Sequence, residues 1–405
     1  LEVPAEALIE TMQKNQKYFP LVDQDNFLIP KFITISNIDS RDPTQVQKGN
    51  ERVIRPRFKD AAFFWEQDLK RPLETLMPEL QKVVFQKKLG TLAEKTSRIR
   101  IIVRHIGPQL GLDPDIAARA AALSKCDLMT YMVGEFPSLQ GIMGKHYAEA
   151  AGESSCVSAA MEEQYLPRHA GDRLPTSKCG QALAVADRID SLVGIFAIGQ
   201  RPTGVKDPYA LRRASLAVLR ILIETPLELD LKKLLELSAE TLQPQVDAFS
   251  VVDEVFGYVM DRLMGYYGDK GIHGDTVEAV LNNRATMPAD IDRRILAVER
   301  FREMPESESL AAANKRIRNI LKKAGTEIPN SYQINALEEP SEKKLAQEIT
   351  QIRSVIQPLL EQGDYTSALF ELASLRDNVD EFFNDVMVMC EDETLRNNRL
   401  ALLNS

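Results

Sequence analysis

Residues 181–224 read QALAVADRIDSLVGIFAIGQRPTGVKDPYALRRASLAVLRILIE, and they contain two apolar helical patterns with a polar connection between them. The connection includes Asp207 and Pro208. An Asp carboxylate accepts free backbone N–H groups at a helix start, and proline at the first helical position has no donor to lose. We therefore predict that the second helix begins at Pro208. Its apolar face comprises Leu211, Ala214, Leu216, Val218, Leu219 and Leu222.

Helical patterns continue over most of the chain from residue 85 onward, and GLDPD at residues 111–115 ends one helix and starts another. Strand signals are confined to residues 18–36, YFPLVDQDNFLIPKFITIS, where aromatic and β-branched runs flank four polar residues. This arrangement is typical of a hairpin. We predict a mainly α, multi-domain protein with a short β-hairpin near its N-terminus.

The composition fits a water-exposed globular protein, with 405 residues, 44% hydrophobic and 27% charged residues and a net charge of −9. No apolar run is long enough to span a bilayer, so we expect a cytoplasmic protein without membrane contact. The chain begins without Met and stops inside a helical pattern, which favours a piece of a longer protein. Four cysteines without CxxC spacing predict reduced thiols and neither a zinc site nor a disulfide: Cys126, Cys156, Cys179 and Cys390.

Two arginines, Arg212 and Arg213, lie at the predicted start of the second helix. The helix macrodipole disfavours cations there, by about 0.3 to 1 kcal/mol each at an exposed position. Three interpretations remain open: a solvated helix surface, ion pairs with Asp or Glu across a domain junction, and contact with an RNA phosphate. We favour the phosphate.

A second basic segment lies at residues 49–71, GNERVIRPRFKDAAFFWEQDLKR. Basic residues next to aromatic ones suit a nucleic-acid surface, because cations bind phosphates and rings stack on bases. Burial of the aromatic side chains in the core is the stronger alternative. The residues concerned are Arg52, Arg55, Arg57, Lys59, Phe63, Phe64 and Trp65.

Signatures of the commonest hydrolases and nucleotide-binding proteins are absent, and the four histidines share no metal-ligand spacing. Two aspartates are unusual instead. Asp127 and Asp187 lie in apolar helical segments, where an unpaired carboxylate is unfavourable. We expect both to be salt-bridged or hydrogen-bonded, with Lys125 or Arg188 as partners.

The order of these residues resembles the HD phosphohydrolase superfamily, whose metal ligands are His, His-Asp and a later Asp. The resemblance places Cys126 and Asp127 at the His-Asp pair and Asp187 at the last Asp, with Thr96 and Ser97 where the first His belongs. Both imidazoles are missing, and a thiol with two carboxylates is a poor ligand set for the hard cations of such enzymes. We therefore expect a degenerate HD-like domain with no metal and no catalytic residue. An active metal-dependent phosphohydrolase is the alternative.

A broader resemblance covers almost the whole chain. The sequence is similar to the β subunit of bacterial glycyl-tRNA synthetase, the tetrameric type with separate α and β chains. The matching strings include FITISNIDS at 32–40, GNERVIRPRFKDAAFF at 49–64, SKCDLMTYMVGEFPSLQGIMGKHYA at 124–148 and ADRIDSLVGIFAIGQRPTGVKDPYALRRA at 186–214.

This resemblance implies that the chain binds tRNA(Gly) while the α subunit forms glycyl-adenylate with ATP and Mg²⁺, in an α2β2 assembly. The chain itself then binds no cofactor, and it lacks the N-terminal portion of the family. The implied domains are a body segment with the hairpin (1–85), the degenerate HD-like domain (86–205), a helical linker (206–289) and an anticodon-binding domain (290–405). A helical module that only holds the α subunit is a further alternative.

The last domain resembles the helical anticodon-binding domain shared with arginyl-tRNA synthetase, cut short at its C-terminus. The resemblance is carried by AAANKRIRNILKKA at 311–324, EQGDYTSALFELASLRDNVDEFFNDVMV at 361–388 and ETLRNNRLALL at 393–403. Its basic helix suits the phosphates of an anticodon arm through Lys315, Arg316, Arg318, Lys322 and Lys323.

Base contacts in that domain need other side chains. Asn314 is the best candidate, because an amide offers both a donor and an acceptor. Phe382 and Phe383 are candidates for stacking on an unpaired base, with core packing as the equal alternative. Asn398 and Arg399 in the closing helix carry the same ambiguity between RNA contact and packing.

Overall fold

A computed structural model describes residues 3–324, 328–329 and 331–405, and its regular structure is overwhelmingly helical. The chain divides into a first unit that ends at Arg262 and a second unit from Leu263 to Ser405. Within the described ranges, the strands form two small antiparallel hairpins. The prediction of a mainly α, multi-domain protein is confirmed. The finer boundaries near residues 85, 205 and 289 stay predictions.

The first unit contains two hairpins and a succession of helices. In chain order its elements are α1 (Ala5–Glu10), β1 (Phe19–Val22), β2 (Leu28–Ile33), α2 (Pro43–Leu69), α3 (Leu73–Leu76), β3 (Val84–Gln86), β4 (Gly90–Thr91), α4 (Leu92–Gln109), α5 (Pro114–Leu123), α6 (Tyr131–Glu135), α7 (Ile142–Ala150), α8 (Ser155–Glu163), α9 (Lys178–Ala197), α10 (Leu211–Glu224), α11 (Leu231–Leu242) and α12 (Val252–Met260).

The hairpin predicted over residues 18–36 is confirmed. β1 pairs antiparallel with β2, with Phe19 opposite Ile33. The Asp23 carboxylate closes the turn by accepting the backbone N–H groups of Asp25 and Phe27 at 3.0 and 2.8 Å. The short β3–β4 hairpin was not predicted, because its strands are too brief to show an alternating pattern.

Helix α9 forms the centre of the first unit, with 15 of its 20 residues buried. It packs against α4, α5, α8, α10, α11 and α12. A helix that is apolar on nearly all sides has to be surrounded in this way. The neighbouring α5 begins at Pro114, where the Asp113 carboxylate accepts the Asp115 N–H, as the GLDPD pattern predicts.

The predicted start of the next helix is wrong by three residues. α10 begins at Leu211, and its N-cap is Ala210 in the left-handed conformation, with φ of 54°. Asp207 still serves the helix, because its carboxylate accepts the N–H groups of Leu211 and Arg212 at 2.8 and 3.0 Å. The capping carboxylate of Asp207 therefore lies four residues before the first helical residue, Leu211. The sequence pattern alone does not indicate this distance.

The prediction that all four cysteines are reduced is also wrong. Cys156 on α8 and Cys179 on α9 form a disulfide, with their Cα atoms 5.8 Å apart. The two helices pack side by side, so residues distant in sequence become neighbours. Sequence spacing therefore gave no indication of this pair, whereas Cys126 and Cys390 are free thiols.

The second unit is a helical bundle. Its elements are α13 (Arg262–Gly268, which begins at the division), α14 (Gly274–Leu281), α15 (Pro288–Arg302), α16 (Ser307–Ala324), α17 (Pro340–Glu361), α18 (Tyr365–Ala373), α19 (Arg376–Asp385) and α20 (Glu393–Asn404). Its largest core cluster includes Leu345, Phe382 and Leu400, from α17, α19 and α20. None of the helices built from described residues meets the length and apolarity needed to cross a membrane.

Candidate nucleic-acid interface

Helix α16 has one apolar side and one strongly basic side. Ala313, Ile320, Leu321 and Ala324 pack against the core cluster of the second unit. The remaining faces carry the five basic residues predicted to contact phosphates, and all five side chains are exposed: Lys315, Arg316, Arg318, Lys322 and Lys323. The amphipathic spacing thus fixes the helix on the bundle and directs its cations to solvent.

Within the described part of the chain, no acidic side chain neutralises the positive charge of α16. Glu308 is the single acidic residue of this helix. None of the five basic side chains forms an ion pair with a residue in the described part of the chain. Asn314, Arg318 and Lys322 follow one another at four-residue spacing, so they form one line along the helix, with Asn314 also exposed.

One of these cations is held in place by an aromatic ring. The guanidinium carbon of Arg316 lies 4.0 Å from the centre of the Phe383 ring. Phe383 is half-buried and packs against the core cluster. Its ring is in turn 5.5 Å from the ring of Phe382, at 73°. The anchor of Arg316 is therefore part of the folded bundle.

Two predicted RNA contacts are contradicted by burial. Phe382 is fully buried in the core, so it has no face available for a base. Arg399 is also buried, where it pairs with the fully buried Glu342 carboxylate and donates to the Met387 carbonyl at 2.9 Å. A short amphipathic pattern does not distinguish an arginine that pairs with a buried carboxylate from an arginine that is exposed on the surface.

Asn398 likewise has a structural role. Its amide accepts the backbone N–H of Gln333 at 2.7 Å and donates to the Gln333 carbonyl at 3.1 Å. Helix α20 therefore contributes its polar residues to tertiary contacts inside the second unit. Core packing and structure were the correct alternatives for Asn398, Arg399 and Phe382.

The two arginines of α10 differ from each other. The Arg212 guanidinium donates to the Gly204 carbonyl at 2.6 Å, which ties the helix to the preceding loop. Arg213 is exposed, and it forms no ion pair with a described residue of its own unit. Arg213 therefore remains available to a ligand, whereas Arg212 is partly committed to the fold.

In the basic and aromatic segment on α2, some side chains have partners within the fold and others do not. Arg55 pairs with Glu51 at 3.2 Å and Arg57 with Asp60 at 3.7 Å, so part of the charge is neutralised along the helix. Trp65 stacks on the Tyr147 ring at 5.1 Å, as the core interpretation predicts. Phe63, Arg52 and Lys59 are exposed, so this segment is only partly committed to the fold.

The aspartate at the last HD-like position is enclosed by ammonium groups. Asp187 lies 3.1 Å from the Lys95 Nζ atom and 3.4 Å from the Lys125 Nζ atom. The predicted pairing with Lys125 is confirmed, but Arg188 donates to the backbone carbonyls of Gln164 and Tyr165 instead. Lys95 was not predicted, because its partner lies some 90 residues away in sequence.

The same cluster extends to a second carboxylate. Asp190 is fully buried, and it accepts from Lys95 at 2.9 Å and from the guanidinium of Arg98. Arg98 also donates to the Leu89 carbonyl at 3.1 Å. The only sequence signal for this network is a pair of basic residues inside the apolar α4 pattern, where buried charges require partners.

The electrostatics of this cluster follow from burial and pairing. Burial opposes the charge on Asp187, but Lys125 and Lys95 hold the pKa of this carboxyl far below its ordinary range. Burial would lower the pKa of Lys95, but Asp187 and Asp190 outweigh it and raise that pKa. Burial lowers the pKa of Lys125, against the opposing effect of Asp187. The cluster is therefore an ion-pair network.

Burial disfavours the charged form at both of the adjacent HD-like positions. Burial raises the pKa of Asp127 to about 6, against the opposing hydrogen bond from the Gly141 N–H. Its partner is thus a backbone donor and not a lysine ammonium. Burial likewise raises the pKa of Cys126 to about 12. Thr96 is buried and Ser97 is exposed, so these two side chains do not share one site.

These residues do not fit a catalytic metal. The carboxylate best placed to bind a cation already contacts two ammonium groups, and the neighbouring thiol keeps its proton. Across the described ranges, no three His, Cys, Asp or Glu side chains form a group that could hold a metal ion.

Two family models match successive parts of the chain, and the first of them extends beyond the division at Arg262. Residues 1–282 match the family model described as glycyl-tRNA synthetase beta subunit, and residues 310–405 match the DALR anticodon binding domain. The chain is 50% identical over 405 residues to the glycine–tRNA ligase beta subunit of Haemophilus influenzae, and 49% identical over 403 residues to that of Shewanella amazonensis. All of the chain is covered, but it spans only 59% and 58% of the length of these relatives.

Proposed function

Because this chain belongs to the glycyl-tRNA synthetase beta subunit family, we propose that it binds tRNA(Gly) and positions it for glycylation by a separate α subunit. The second unit, with its match to an anticodon-binding domain, would hold the anticodon arm. The α subunit would bind ATP and Mg²⁺ and form the glycyl-adenylate. The chain itself would contribute no catalytic group and no cofactor.

The observation that carries this proposal is the row of exposed cations on α16, which form no ion pair with any residue that the structure describes. An RNA backbone presents closely spaced phosphates, and each basic side chain that contacts one releases counterions. Arg318 and Lys322 lie on one line, with Lys315 and Lys323 beside them. Such a line follows a phosphate backbone, although the protein as a whole carries a net charge of −9. Phosphate contacts would position the arm, and Asn314 would be available for a base edge.

The proposal includes an α2β2 assembly in the cytoplasm, as the family resemblance implies. A metal-dependent phosphohydrolase is not favoured, because Asp187 is held by two lysines, the Cys126 thiol keeps its proton and Asp127 accepts from the Gly141 backbone N–H. A module that only holds the α subunit remains as the outcome that a failed RNA-binding test would support.

The test measures binding of the 405-residue chain to tRNA(Gly) and to an unrelated tRNA over a series of salt concentrations. We expect tighter binding of tRNA(Gly). The double variant Arg318→Ala/Lys322→Ala should lose about tenfold in affinity at low salt, and the slope of log K against log salt should fall by about 1.5, since two phosphate contacts are removed.

The matched control is Lys344→Ala/Arg376→Ala, which removes two basic residues of the second unit that pair with Glu381 and Asp380. Their charge is already neutralised, so affinity and slope should change little. Equal losses for both double variants, or equal affinity of the chain for both tRNAs, would contradict the proposal. Capture of the α subunit without any tRNA binding would support the holding module instead.

A further inference from the structure

Arg316 differs from the other basic residues of α16 in its surroundings. Its guanidinium lies over the face of Phe383, at 4.0 Å from the ring centre, while the side chain remains exposed to solvent. The other four cations of the helix have no aromatic partner among the described residues. Attraction between a guanidinium and a ring face holds the side chain in a defined position.

The ring beneath Arg316 is itself fixed. Phe383 packs against the core cluster and contacts Phe382, which is fully buried. The order from the core outward is therefore Phe382, Phe383, Arg316 and then solvent. The outer face of a guanidinium held in this way is a flat, weakly hydrated surface.

We propose that Arg316, supported by Phe383, is a stacking platform for one unpaired base of the bound RNA. This inference rests on the proposed function and adds a specific contact to it. Unpaired bases in RNA loops stack on aromatic rings and on guanidinium planes. A base on this platform would leave its edge free for reading, while the other exposed cations of α16 bind phosphates.

The platform and a phosphate contact make different demands on residue 316. A phosphate accepts either Arg or Lys, because both supply a positive charge. Stacking requires the planar guanidinium, which lysine lacks. Arg316→Lys and Arg318→Lys are therefore a matched pair, since each keeps the charge of the same helix and removes one guanidinium plane.

The experiment measures the affinity of the 405-residue chain and both variants for tRNA(Gly) over a salt series. Arg316→Lys should bind at least about fivefold more weakly, with an unchanged salt slope, because one base loses its stacking partner. Arg318→Lys should stay within about twofold of the unsubstituted chain. Phe383→Leu keeps an apolar side chain in the core but removes the ring, and it should weaken binding to a similar extent as Arg316→Lys. The thermal midpoint of each variant shows whether the bundle is intact.

An abasic substitution at each anticodon-loop position in turn identifies the stacked base. At that position the unsubstituted chain should lose affinity, and Arg316→Lys should cause no further loss. Equal affinities of Arg316→Lys and Arg318→Lys would overturn the platform and leave the proposed function in place. A chain that does not bind tRNA(Gly) in preference to unrelated tRNA would overturn both.

Discussion

Basic side chains serve opposite purposes in the two units. In the first unit, Lys95, Lys125 and Arg98 are buried and contact the carboxylates of Asp187 and Asp190. In the second unit, the five cations of α16 are exposed and have no carboxylate partner within the described residues. The number of basic residues is therefore a poor guide to RNA binding. Their burial and pairing decide whether the charge stabilises the fold or is available to a ligand.

The two arrangements also differ in what a substitution changes. Removal of one member of a buried ion pair leaves an unpaired charge in a low-dielectric interior, which destabilises by about 3–5 kcal/mol. Removal of an exposed, unpaired cation changes folding stability by less than about 0.5 kcal/mol. Substitutions in the buried ion-pair network should therefore change unfolding, whereas substitutions of the exposed α16 cations should change RNA binding.

The largest expected effect is on the buried network. Asp190→Ala should lower the free energy of unfolding of the first unit by about 3–5 kcal/mol, because Lys95 and Arg98 would lose their shared carboxylate. Urea unfolding followed by the fluorescence of Trp65, the one tryptophan of the chain, measures this change. Asp60→Ala is the control, since its pair with Arg57 is exposed and should contribute less than about 1 kcal/mol. If Asp190→Ala lowered the free energy of unfolding by less than about 1 kcal/mol, the buried cations of the first unit would not have the stabilising role assigned to them.

A smaller effect is expected from the pH dependence of Asp127. Its pKa is raised from 3.8 to about 6 in the folded protein. Between these values the folded state binds more protons than the unfolded state, so stability falls as pH rises through this window and is level above it. The free energy of unfolding should fall by about 1–3 kcal/mol across this pH window. Asp127→Asn should remove this fall, because an amide does not titrate.

Urea unfolding at several pH values between about 4 and 7 measures the effect. Asp172→Asn is a control for the first unit, since the pKa of Asp172 is lowered and its contribution should have the opposite sign. An unchanged slope in Asp127→Asn would show that another group causes the pH dependence.

The smallest expected effect concerns Arg213. Arg213→Ala should weaken tRNA(Gly) binding by about two- to fivefold and lower the salt slope by about 0.7 to 0.9, with an unchanged thermal midpoint. Arg104→Ala is the matched control, because Arg104 is an exposed arginine already paired with Asp115 at 3.3 Å. A lower thermal midpoint of Arg213→Ala with unchanged tRNA affinity would show that Arg213 stabilises the fold at a domain junction and does not contact RNA.

Features defined by local sequence were predictable. The Asp23 turn and the Asp113–Pro114 helix start depend on residues close in sequence. The pairing of Asp187 with Lys125 is an exception, since these residues are distant in sequence and the prediction came from the need of a buried carboxylate for a partner. The basic character of α16 followed from the density of Lys and Arg in residues 315–323. The helical patterns predicted the mainly α fold class, and the family resemblance added the assignment of domains.

Features that depend on distant partners were not predictable. Lys95 and Asp190, like Cys156 and Cys179, meet only because two helices pack together. Arg399 has the same residue type as Arg318, but a carboxylate of α17 holds it in the core. A periodic pattern gives the face on which a residue lies, and it does not show what another helix places against that face.

The ion pairs around Asp187 have an evolutionary consequence. Converting this interior into a metal-binding centre would require removing the ammonium groups of Lys95 and Lys125 and introducing imidazole ligands nearby. Removing either lysine singly takes one of two ammonium groups from the buried Asp187 carboxylate, which is expected to destabilise the fold. The two lysines therefore oppose the evolution of a metal site here, because single substitutions toward such a site would first lower the stability of the first unit.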